Sequence, residues 1–191
     1  ELLSQEIFEK ITNEHFFKEK NVTNINSEIF RLLLKQLDSQ KIYFTKYEVD
    51  SFKKEFRAFD SSVIPKTRAT NNINLASFYE LVNLYFNRLV ETTNYQIREV
   101  KKNRFDFEED ESLQIDYEDA EWQKNKFLLR ETWKKLAKND VLTSMLAEKD
   151  TSEAVEAIKK RYQNRLRRIM QRNEEDVFSI VMNNMTTFFD P

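Results

Sequence analysis

Apolar side chains return every three or four positions along most of this chain, the spacing of helices that bury one face. Leu3, Ile7, Phe8, Ile11 and His15 mark a first helix from about Leu3 to Lys18. A second follows Asn26-Ser27, with Ser27 as the expected cap and Ile29, Phe30, Leu33, Leu34 and Leu37 as its stripe, ending before a turn at Asp38-Ser39-Gln40. Thr45-Lys46-Tyr47-Glu48 fits a capping box, in which the Thr45 and Glu48 side chains would satisfy orphan amides reciprocally; a third helix is expected from Lys46 to about Phe59. Pro65 falls in the loop after it.

The longest periodic stretch starts near Asn74 and runs through Leu75, Phe78, Leu81, Val82, Tyr85, Phe86, Leu89 and Val90 to about Lys101. From Arg104 to Trp122 the pattern changes to alternation, in Phe105-Asp106-Phe107 and Leu113-Gln114-Ile115, which predicts a loop holding a short two-stranded ribbon near 105–115. Helix is expected again from about Gln123, with Phe127, Leu129, Trp133 and Leu136 inward, and with a break near Asn139 before a turn carrying Val141, Leu142, Met145 and Leu146. Thr151 or Ser152 would cap a helix to about Gln171 whose core line is Val155, Ile158, Tyr162, Leu166 and Ile169. Asn173 would cap the last, with Glu174, Glu175 and Asp176 at the favourable end of its dipole and Val177, Phe178, Val181, Met182 and Met185 beneath. The expected fold is therefore all-α, an irregular bundle of about seven or eight helices. With no fixed-period repeat and no low-complexity linker, residues 1–191 are expected to form a single domain.

Composition sharpens this picture at one point. A chain of 191 residues would ordinarily carry about 13 Gly, and this one has none, with only two Pro. Glycine supplies positive φ in tight hairpins and lets backbone approach phosphates, so its absence weighs against hairpin-rich folds, nucleotide-cradling loops and strained nucleophile elbows. The 31 basic and 33 acidic residues leave a formal charge of −2, no field that would gather nucleic acid or anionic membrane. Without cysteine there is no disulfide, thiolate metal site or cysteine nucleophile, and the redox compartment stays open. No apolar run approaches the ~20 residues that span a bilayer. The start, Glu1-Leu2-Leu3-Ser4, has neither Met nor a signal-peptide pattern, as expected of a chain trimmed from a longer precursor.

Candidate chemistry is sparse. His15 is the only histidine, and its place on an apolar stripe suits a packed structural role. The acidic stretch Glu108, Glu109, Asp110, Glu111, Asp116, Glu118, Asp119 and Glu121 has neither the spacing nor the Gly of a calcium loop and reads as solvated. At about 100° per residue, Arg161, Arg165, Arg168 and Arg172 share one helix face, within a basic run that also holds Lys159, Lys160 and Arg167. That stripe is the best sequence case for nucleic acid or an acidic protein, the role of a free-standing helical binding module. Since Ile158, Tyr162, Leu166 and Ile169 adjoin it, internal ion pairs with aliphatic stems over apolar surface are the preferred reading. The aromatics Phe78, Tyr85, Phe86, Phe105 and Phe107 are read as core rather than as a stacking platform. Asn21-Val22-Thr23 and Asn184-Met185-Thr186 match glycosylation acceptors at the level of chance. Ser and Lys are abundant enough for a Ser-Lys pair, but no strained turn presents a serine. No catalytic, cofactor-binding or metal-binding residue is assigned, and no cofactor is expected.

Two stretches carry a resemblance. Leu37-Asp38-Ser39-Gln40-Lys41-Ile42-Tyr43-Phe44, and the segment from Lys160-Arg161-Tyr162 through Arg167-Arg168 to Glu175-Asp176-Val177-Phe178 and Asp190-Pro191, resemble the N-terminal region of tail-specific proteases, the C-terminal processing peptidases of the S41 class. The likeness extends from about His15 to Pro191, and Ser39 stands where the family often has Pro. It implies a whole protein that continues after Asp190-Pro191 into a PDZ domain and a protease core with a Ser/Lys dyad, the lysine deprotonating the attacking serine. It further implies periplasmic or cell-envelope cleavage of proteins recognised by nonpolar C-terminal tails, with an adaptor protein among the partners, and gives this segment a scaffold, substrate-access or adaptor-docking role. No position here matches the family's catalytic motif.

Overall fold

The computed structural model describes residue 6 and residues 24–62, 73–113, 117, 120–147 and 150–189. Six α-helices account for most of them: α1 (Ile25–Leu37), α2 (Lys46–Ser62), α3 (Leu75–Lys102), α4 (Lys126–Leu146), α5 (Thr151–Met170) and α6 (Glu174–Phe189). None of the described residues lies in a strand. The helix expected at 3–18, apart from residue 6, and His15, the Asn21 acceptor and Pro65 lie outside the described residues.

Contacts divide the chain into two compact units. Unit 1 comprises residues 1–39, 48–84 and 173–191, and unit 2 comprises residues 40–47 and 85–172. Helix α3 belongs to unit 1 up to Leu84 and to unit 2 from Tyr85 onward.

In unit 1, α1 packs on α6. The predicted α1 stripe is buried as read, with Ile29, Phe30, Leu33, Leu34 and Leu37 all inside. Each such side chain contributes about 1.5–3 kcal/mol by leaving water. Four phenylalanines link three helices: Phe56 of α2 stacks on Phe78 of α3 at 4.4 Å between ring centroids, and lies 5.2 Å from Phe30 of α1 and 6.3 Å from Phe52. Val181, Met182 and Met185 of α6 are buried, as their spacing predicts. Asn173 caps α6, its Oδ1 accepting from the amides of Glu175 and Asp176 at 3.0 and 3.1 Å, while Asp176 Oδ2 accepts from the Asn173 amide at 2.9 Å. This reciprocal closure satisfies three amide donors at the helix start.

Unit 2 is built on α4 against α5. Ile97, Val100, Ala137, Val141, Ala154, Val155, Ile158 and Tyr162 form one core cluster, with Phe105, Phe107, Met145 and Leu166 packed on it. A second gathers Ile42, Tyr43, Leu89 and Ile169, with Tyr85, Phe86 and Leu136 alongside. Trp133 is fully buried; its indole Nε1 donates to the Ile42 carbonyl at 2.6 Å and its ring meets Tyr95 edge-on at 5.8 Å.

Five expectations need correction. Helix α1 starts ahead of Ser27, so Ser27 is not its cap; an acceptor from another helix takes that task, as described below. Helix α4 runs unbroken through Asn139, because Ala137 and Val141 on either side are fully buried and Asp140 finds partners on α5, which outweigh the weak propensity of Asn-Asp. Phe127 is 69% exposed: two positions from the buried Leu129 it faces the opposite side of the helix. The α5 cap is Asp150, which accepts from the Glu153 amide at 2.8 Å, rather than Thr151 or Ser152. The ribbon near 105–115 is likewise absent among the described residues. There, Phe105 and Phe107 turn onto the core and Lys135 and Lys138 of α4 hold the following chain, donating to the Ser112 carbonyl at 3.4 Å and to Glu111 at 2.5 Å.

Candidate functional site

The arginine face of α5 was the strongest sequence candidate, and the fold puts three of its four members to internal use. Arg161 pairs with Asp140 of α4, and its guanidinium lies 5.6 Å from the Tyr162 ring centre. The same Asp140 accepts from the buried Tyr162 hydroxyl at 2.5 Å. Burial pushes the Tyr162 phenol well above its ordinary range, and the Asp140 charge beside it adds to the effect. For Arg161, burial opposes the charge, but the bond to Asp140 outweighs it and the guanidinium holds its proton more tightly than usual. Arg165 donates to the Tyr43 hydroxyl at 2.8 Å, and Arg172 lies 4.9 Å from the centre of the Phe86 ring, a cation–π contact. Arg168 is exposed and has no ion-pair partner among the described residues. The face therefore couples α5 to α4 and to the 40–47 segment, with Lys160, Arg167 and Arg168 left as a solvated ridge.

The described part of the acidic stretch behaves as a wet loop held by lysines. Residues 108–111 are exposed. Glu111 pairs with Lys138, whose hydrogen bond holds the Glu111 carboxyl below the usual range, and Glu121 pairs with Lys46 at 2.8 Å with the same consequence. Asp116, Glu118 and Asp119 lie outside the described residues. Among those described, no group of three or more Asp, Glu, His or Cys could hold a metal ion.

Other sequence candidates also take structural parts. Phe78 is fully buried, and Tyr85 and Phe86 pack at the unit 2 core. Asn184 lies within α6, buried, and its amide nitrogen donates to Gln36 of α1 and to the Ile180 carbonyl at 3.1 Å, so this acceptor tripeptide is tied into a helix pair. No described Ser hydroxyl is bonded to a Lys. The only described residues at positive φ are Lys41 (55°) and Asn103 (45°), so no described serine is presented by a left-handed turn.

One constellation escaped the sequence reading altogether. In unit 1, Asp60 near the end of α2 reaches the first turn of α1. Its Oδ1 accepts from the Asn26 amide at 3.0 Å and from Asn26 Nδ2 at 2.8 Å. Its Oδ2 accepts from the Ser27 amide at 3.0 Å and the Ser27 hydroxyl at 2.6 Å. Asn26 Oδ1 in turn accepts from the Asn74 amide at 2.8 Å, and Asn74 Oδ1 accepts from Ser77 in the first turn of α3 at 3.3 Å. A carboxylate contributed from elsewhere thus does the work of an N-cap, facing the positive end of the α1 dipole. The partners lie 33 and 34 residues apart, with no local signature. The arrangement is chemically a clamp, since every oxygen of the carboxylate is consumed by a donor of α1.

Over residues 7–191 the chain matches the family described as the tail specific protease N-terminal domain. It is similar to the tail-specific protease of Haemophilus influenzae, 23% identical over 183 residues that cover 95% of this chain and 25% of that protein. The chain spans about a quarter of the length of the relative it matches.

Proposed function

The chain belongs to the family of tail-specific protease N-terminal domains, and from that premise we propose that it is the non-catalytic helical scaffold of a serine protease of the periplasm or cell envelope. In this reading a PDZ domain and a Ser/Lys protease core elsewhere in the whole protein recognise and cleave proteins with nonpolar C-terminal tails. The helical units stand beside them, shaping substrate entry or docking an adaptor protein. The observation that carries the reading is the use made of polar chemistry. Asp60, Asp140, Arg161, Arg165 and Asn184 are spent joining helices, inside a chain whose whole matched length belongs to a protease N-terminal domain.

The test compares this chain with the whole protein on a peptide ending in apolar residues. Cleavage by the whole protein and none by residues 1–191 is the expected outcome. Hydrolysis by the 191 residues unaided, or a whole protein indifferent to the peptide's C-terminus, would overturn it.

A further inference from the structure

We draw no further inference here: the strongest candidate, the cleft of unit 2 between the 40–42 turn, the chain at Ser112 and Ala120 and the first half of α4, holds charges of both signs, and with its Lys41 and Lys135 already bonded to the Ala120 and Ser112 carbonyls nothing in the structure shows what would fill it.

Discussion

Replacing Asp60 by Ala removes an acceptor from four donors at once, and the structure lets the loss be sized. The Asn26 amide and its Nδ2 belong to a residue with no exposed surface, so neither can turn to water when the carboxylate is gone. A buried donor left without a partner costs about 1–3 kcal/mol. The two Ser27 donors are part-buried and recover some hydration, so they add little. The expected destabilisation is therefore about 4 kcal/mol, which for a chain of this size lowers Tm by roughly 10 °C. Asp60→Asn keeps the shape and one acceptor oxygen and should lose about half as much. Urea titration followed by far-UV circular dichroism measures both. Trp122 and Trp133 both belong to unit 2, so fluorescence run in parallel reports whether the loss stays in unit 1. A Tyr or Phe substitution would confuse packing with hydrogen bonding, which is why Ala and Asn are preferred. Were Asp60→Ala to stay within ~0.5 kcal/mol of the parent, the range of an ordinary surface change, the clamp would have no energetic meaning.

Trp133→Phe strips the donor from the Ile42 carbonyl and leaves a void in unit 2; a loss of about 2–3 kcal/mol in chemical denaturation is expected, and a neutral result would contradict the burial. Because the folded-state pKa of Tyr162 is raised above the unfolded value of about 10, its contribution is present below that pH and is lost as pH rises beyond it. Tm should therefore fall as pH rises above about 10, and less steeply in Tyr162→Phe; identical slopes in the two proteins would refute the assignment. Thr92 is buried with a hydroxyl that finds no partner among the described residues, so the isosteric Thr92→Val should stabilise by about 1 kcal/mol, and a lower Tm would show that the hydroxyl is satisfied.

Helix existence was legible wherever burial follows local period. The α1 stripe, the long run of α3, the core line of α5 and the Asn173 cap of α6 all follow from neighbours within one or two turns, where sequence spacing and spatial spacing are the same thing. Most of what failed did so because a distant partner decided the outcome. Asp140 continues α4 through a weak Asn-Asp pair because Tyr162 and Arg161 wait on another helix. Ser27 yields its capping role to a carboxylate 33 residues away. The alternation at 105–107 predicts a strand, yet both rings turn onto the unit 2 core. Phe127 was misread on simpler grounds, since its spacing from Leu129 already set it on the far side. For the candidate site, the arginine stripe could be read but its use could not, because Tyr43, Asp140 and Phe86 belong to other segments.

Lys41 turns the chain with φ of 55°, a geometry that costs a side-chain-bearing residue about 1–2 kcal/mol, and its ammonium is anchored on the Ala120 carbonyl. Two chemistries can solve such a corner. Gly at this position would relax the backbone and forfeit the tether, whereas Lys accepts torsional strain and staples two remote stretches. A homologue that adopted the first solution would need another fastening for its counterpart of Ala120, so transplanting this corner between family members requires moving both ends together.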